Sequence, residues 1–129
     1  MSVSVPKRVL LVEDDLLSAK IVSKLLEQNE YDVTHAADGA AGLSLARKES
    51  FDLILLDWLL PSLDGFKICK LLKMDSRFKS IPIIVVTGRS DPADLERIRE
   101  AGVDGVVSKT KPPTEIVDAV RGAVGVSGS

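Results

Sequence analysis

Residues 9–15 read Val9-Leu-Leu-Val-Glu-Asp-Asp15, four apolar residues closed abruptly by three acids. An unbroken apolar run this short fits a strand buried on both faces, as the strands of a parallel sheet are. The next stretch, Leu16 to Gln28, carries apolar residues at Leu16, Leu17, Ala19, Ile21, Val22, Leu25 and Leu26, which is helical spacing with one broad apolar face. A strand that feeds directly into a helix opens a βαβ unit, and the rest of the chain repeats the pattern.

Asn29-Glu30 closes the first helix ahead of Tyr31–Ala36, a short alternating strand. Asp38 can cap the free amides of a second helix whose core face is Leu43, Leu45 and Ala46. Leu53-Ile-Leu-Leu56 is a third strand ending at Asp57, Pro61-Ser-Leu-Asp-Gly65 is turn chemistry, and Phe66 to Met74 is helical. Ile81 to Val86 is a fourth strand rich in β-branched residues. Ser90-Asp91-Pro92 starts a helix with proline at its first position, and that helix stops at Gly102. Val106-Val107 is a short fifth strand, and Pro112-Pro113 opens a last helix through Val117 and Val120.

Five strands alternating strictly with five helices predict an α/β fold, a doubly wound parallel sheet with helices on both faces. No repeat, linker or composition break interrupts the chain, so residues 1–129 form one domain. Its core spans about 8–121, and the Gly- and Ser-rich tail 122–129 is expected to fray.

Composition narrows the function classes. Apolar residues are 45% and charged residues 28%, a globular balance. A net charge of −2 gives no electrostatic case for binding nucleic acid, and 4% aromatics are too few to stack a single strand. One cysteine, Cys69, excludes an internal disulfide and a multi-cysteine zinc site. The apolar run near the N-terminus is too short for a secretory signal, and no stretch approaches the ~18 residues of a membrane span. The expectation is a cytoplasmic protein without membrane insertion.

In open α/β sheets, ligands bind outside the carboxyl ends of the strands. Reading the first residue after each strand gives Glu13-Asp14-Asp15, then Asp57, then Thr87-Gly88, then Ser108-Lys109. Clustered carboxylates repel, and a divalent cation removes that cost. Oxygen donors with no histidine or cysteine beside them suit a hard ion such as Mg²⁺. A cation beside a hydroxyl and an amine makes a clamp for a phosphoryl group, and a carboxylate can itself be the nucleophile. Taken singly, each residue has an ordinary explanation as helix-start charge, turn residue or solvated lysine. Their convergence on one sheet edge does not.

At these residues the chain resembles the receiver domains of two-component response regulators. The resemblance rests on Val9–Asp15, Leu55-Leu-Asp-Trp-Leu-Leu-Pro61 with Asp64-Gly65, Pro82-Ile-Ile-Val-Val-Thr-Gly88, and Ala101-Gly102-Val-Asp104 leading to Lys109. It implies a flavodoxin-like sheet of order 2-1-3-4-5. It further implies Asp57 as phosphoacceptor, Asp14 as direct Mg²⁺ ligand, Glu13 as its neighbour acting through water, and the Leu59 carbonyl completing the protein's donors. Thr87 is implied as the hydroxyl that moves onto the phosphoryl oxygen and Lys109 as its pairing amine. Asp15 reads instead as a helix-start residue. The implied partners are a sensor histidine kinase or histidine phosphotransfer protein, and a downstream protein on the face of the fourth helix, fifth strand and fifth helix. A homodimer is compatible with that face. Such a domain is no ordinary enzyme, although it assists its own phosphotransfer and dephosphorylation.

Three features depart from the family pattern. Proline usually follows the lysine; here Thr110 follows Lys109, and the proline pair follows Lys111. Counting from Ala101-Gly102 selects Lys109, whereas the Lys-Pro dipeptide selects Lys111. The aromatic usual three residues before the lysine is Val106. The positions two after the aspartate and two after the threonine are Leu59 and Arg89, of which Arg89 can reach a phosphoryl group. The first two departures motivate an alternative, a pseudo-receiver that binds partners regardless of phosphorylation. A dehalogenase-like phosphohydrolase would need an aspartate where Leu59 stands, and a nucleotide-binding domain would need a Gly-rich loop after the first strand. His35 and Cys69 read as structural, Trp58 as a neighbour of the site, and Arg97 and Arg99 as solvent-facing.

Overall fold

The computed structural model describes residues 5–58, 65–88 and 91–125. Strands and helices alternate as β1 (Arg8–Val12), α1 (Leu16–Gln28), β2 (Asp32–Ala36), α2 (Gly39–Lys48), β3 (Leu53–Asp57), α3 (Gly65–Met74), β4 (Ile83–Thr87), α4 (Pro92–Glu100), β5 (Gly105–Ser108) and α5 (Thr114–Val124). All four strand pairings are parallel, and the order is β2-β1-β3-β4-β5. Among the described residues no helix is long and apolar enough to cross a membrane.

Alternation along the strands divides the core. Val9 and Leu11 of β1, Leu53 and Leu55 of β3, and Ile84 and Val86 of β4 pack with Ala19 and Leu26 of α1 and Ile116, Val117 and Val120 of α5. Leu10, Val12, Ile54, Leu56, Ile83 and Val85 point the other way, onto Leu43 of α2, Ile68, Cys69 and Leu72 of α3, and Ile98 of α4. β3 and β4 are therefore buried along their whole lengths, and each fully buried Leu or Ile contributes roughly 1.5–3 kcal/mol. Cys69 is a wholly buried core residue, as read from the sequence.

Local chemistry sets the ends of the elements. Asp15, Asp38 and Asp91 each accept a hydrogen bond from a first-turn amide of the helix that follows. Pro92 then occupies the first turn of α4, where its missing N–H costs nothing. Gly102 ends α4 with φ of 79°, the left-handed region that glycine tolerates. Asp104 accepts from the Ile83 amide at 2.8 Å and from Lys73 Nζ at 2.9 Å, tying the start of β4 to the approach to β5.

Two expectations need correction. The apolar stripe of α1 is wider than the surface it covers, since Leu16, Leu17 and Ile21 are exposed. The sequence frayed the chain from Gly122, yet α5 continues through Val124. Val124 packs against the α1–α5 core, and the Tyr31 hydroxyl donates to the Gly125 carbonyl at 2.6 Å, so tertiary contacts hold the last turn. The turn residues 61–64, Ser90 and the tail 126–129 lie outside the described residues.

Candidate functional site

The reversal of strand order between β1 and β3 opens a crevice at the carboxyl end of the sheet. β1 delivers Glu13 and Asp14 to it and β3 delivers Asp57, because these residues immediately follow or end buried central strands. One carboxylate oxygen from each of the three lies within 4.8 Å of the others. Glu13 and Asp57 are buried, whereas Asp14 is exposed. Thr87 ends β4, almost wholly buried, with its carbonyl accepting from the Lys109 amide at 2.8 Å. That backbone bond aims Lys109 back across the crevice. Its Nζ lies 3.1 Å from Glu13 Oε1 and 3.2 Å from Asp57 Oδ2.

The two lysines are thereby distinguished. Both line a hollow of about 130 Å³ between α1 and α5, but it is the Lys109 amine that reaches the two buried carboxylates. The link from Lys109 to Thr110 is trans, as is every described peptide bond. The loop is closed by hydroxyls where the family pattern has proline. The Thr110 amide donates to Ser108 Oγ at 3.1 Å, and the Ser108 and Thr110 hydroxyls lie 2.7 Å apart. This turn was not anticipated, although Ser-x-Thr after a strand is a recognisable signal for it.

The electrostatics mark the site as short of positive charge. Burial, and then the hydrogen bond and negative charge of Asp57, push the Glu13 carboxyl up to about 7, with Lys109 opposing. Burial works to lower Lys109, but Asp57 and Glu13 more than reverse that and raise it. One ammonium facing three carboxylates leaves room for a cation, and an all-oxygen donor set suits a hard divalent ion. The acidic pocket of Glu13, Asp14 and Asp57 thus fits Mg²⁺.

The other site readings fall into place around it. Asp15 turns away as the α1 cap, its side chain accepting from Ser18 Oγ at 2.6 Å. Trp58 follows Asp57 but its indole is buried on the α3 side of the sheet. Its backbone completes the strand end, the amide donating to Val86 and the carbonyl accepting from Gly65. Arg97 is exposed as expected, yet its guanidinium stacks on Phe66 at 4.1 Å. The Leu59 carbonyl and Arg89 lie outside the described residues. His35, structural by its sequence position, places Nε2 2.7 Å from the Glu13 carbonyl oxygen.

Known proteins with this arrangement are many. Residues 9–121 match the family model of the response regulator receiver domain. The polar-differentiation response regulator DivK of Brucella anthropi is 35% identical over 93% of this chain and 98% of its own length. A putative response regulator from Chloroflexus aurantiacus superposes with a TM-score of 0.88 at 30% identity, covering 93% of this chain and 98% of that one. The receiver domain of the sensor histidine kinase PA1611 from Pseudomonas aeruginosa, solved with magnesium coordinated in its active-site cleft, superposes with a TM-score of 0.86 at 27% identity, covering 94% of this chain and 99% of that one.

Proposed function

The chain belongs to the response regulator receiver domain family, and from that premise we propose that Asp57 is its phosphoacceptor. The observation that carries this reading is the meeting of Asp57 with Glu13, Asp14 and Lys109 at the carboxyl end of the sheet. It also favours a phosphorylated receiver over a module that binds partners regardless of phosphorylation.

In this reading an Asp57 carboxylate oxygen attacks the phosphorus of a phosphohistidine. The P–N bond breaks, the imidazole leaves with the bonding electrons, and an aspartyl phosphate remains. Asp14 and Asp57 would hold Mg²⁺, with Glu13 acting through water and the Leu59 carbonyl as a further donor, and the ion would offset charge on the phosphoryl oxygens. Lys109 Nζ, released from its contact with Asp57, pairs with a phosphoryl oxygen, and the Thr87 hydroxyl donates to another. Drawing in Thr87 and Lys109 shifts a two-state equilibrium on the face near α4. The phosphodonor is a sensor histidine kinase or a histidine phosphotransfer protein. The reader is a protein, or a second copy of this chain, on the α4–β5–α5 face, in the cytoplasm.

Intact mass after incubation with Mg²⁺ and a small acyl phosphate tests the acceptor. The expected result is a gain of one phosphoryl group, lost on chelation and in Asp57→Asn. An adduct that survives Asp57→Asn would sink the assignment.

A further inference from the structure

The site residues described so far come from the ends of β1, β3, β4 and β5; β2, at the edge of the sheet, also reaches the site through one side chain. Glu13 stands one residue beyond β1, where the regular β1–β2 ladder has ended at Val12 and Ala36. Its backbone is nevertheless held to β2 on both sides. The Glu13 amide donates to the Ala36 carbonyl at 3.0 Å, and the Glu13 carbonyl lies 2.7 Å from His35 Nε2. A carbonyl oxygen only accepts, so Nε2 carries the hydrogen in this contact. The ring is half-buried and lines a hollow shared with Leu16, Ala19 and Lys20 of α1, and its polar contact is the Glu13 carbonyl.

This contact bears on a carboxylate that has little freedom to be elsewhere. Glu13 is 5% exposed and its Oε1 is 3.1 Å from Lys109. Rotation of the peptide at its carbonyl would swing Asp14, the exposed member of the acidic cluster, because that carbonyl belongs to the Glu13–Asp14 peptide unit. One hydrogen bond from β2 therefore sets the peptide plane shared by two of the three acids.

We propose that His35 is a positioning residue for the cation site: by donating Nε2–H to the Glu13 carbonyl it orients the Glu13–Asp14 peptide, and with it two of the three carboxylates that receive Mg²⁺. The inference rests on the metal-assisted receiver reading above and adds a residue outside the donor set. Hydrogen-bonded partners behind the donors of a metal site commonly change affinity by about 10–100-fold when removed. Glutamine can present an Nε2–H at a similar reach; leucine cannot donate, and threonine is too short to span the gap.

The test is titration with Mg²⁺ alone, by calorimetry, of the full chain and of His35→Gln, His35→Leu and His35→Thr. Circular dichroism identifies the variants that fold, and Thr serves if Leu does not. The expected result is an affinity weakened about tenfold in Leu and Thr and restored to within about twofold in Gln. The phosphorylation rate at saturating Mg²⁺ should be nearly the same in all four, because His35 touches no reacting atom. Wild-type affinity in Leu or Thr would overturn the proposal, and so would a loss in Gln equal to that in Leu. Absence of Mg²⁺ binding by the wild-type chain would instead overturn the metal site itself.

Discussion

Glu13 is the residue on which the chemistry of the crevice turns. Its carboxyl is raised to about 7 by burial and by Asp57, so below about pH 7 the metal-free protein carries a proton there that a bound Mg²⁺ would displace. Mg²⁺ affinity should rise with pH through about 7 and level off above it, with a proton released on binding below that point. Calorimetry in buffers of different ionisation enthalpy reads both, and an affinity flat from about pH 6 to 8 would contradict it. The sign for stability without metal is the reverse. A carboxyl raised in the folded state binds protons more tightly there than in the unfolded chain, so its contribution to stability falls as pH rises from the ordinary glutamate range through about 7. That Glu13, Asp14, Asp57, Thr87 and Lys109 share one end of the sheet was legible in the sequence, because each lies at or just past the end of an apolar run. Two lysines stand within three residues; counting from Ala101-Gly102 selects Lys109 and the Lys-Pro dipeptide selects Lys111, and the Lys109 amine is the one found against Asp57, its backbone held to Thr87.

Among the elements, Gly42 of α2 and Gly122 of α5 should respond oppositely to alanine. A Cβ on Gly42 would sit 2.8 Å from Val12 Cγ2 and 3.2 Å from Val12 Cγ1. Val12 is β-branched and 1% exposed, so it has little room to yield. The overpacking cost of about 1–3 kcal/mol should outweigh the gain in helix propensity of about 1 kcal/mol, so Gly42→Ala should destabilise. A Cβ on Gly122, in α5, would meet nothing within 4 Å beyond its own helix backbone and chain neighbours, and Gly122→Ala should stabilise by about 0.5–1 kcal/mol. Denaturant midpoints read both; a stabilised Gly42→Ala would mean that α2 does not press on β1 as described. Helix starts were legible to the residue at Asp38 and Asp91, where capping is local chemistry. The end of α5 and the exposure of Leu16, Leu17 and Ile21 were not, because both depend on what α1 and α5 meet across space.

For the whole molecule, Cys69 reports on global opening. It is fully buried in α3 against the central strands, and burial pushes its thiol up to about 12. Thiol reagents should modify it only through unfolding. At Mg²⁺ about 100 times its dissociation constant, the folded state gains about 2.7 kcal/mol, and modification should slow roughly 100-fold where it tracks the open population. Fast labelling indifferent to Mg²⁺ would place α3 in a separate, weaker unit. The parallel α/β architecture was determined by the sequence itself, because unbroken apolar runs alternating with helical spacing leave few other ways to bury those faces. The acids were likewise bound to one edge, since strands of one direction end on one side. Tertiary structure alone decided how that edge is assembled: which lysine reaches Asp57, how the Ser108–Thr110 turn closes, and that an edge-strand histidine holds the Glu13 peptide. Those contacts join residues distant in the chain through distances of about 3 Å, and periodicity carries the facing of a side chain but not its reach.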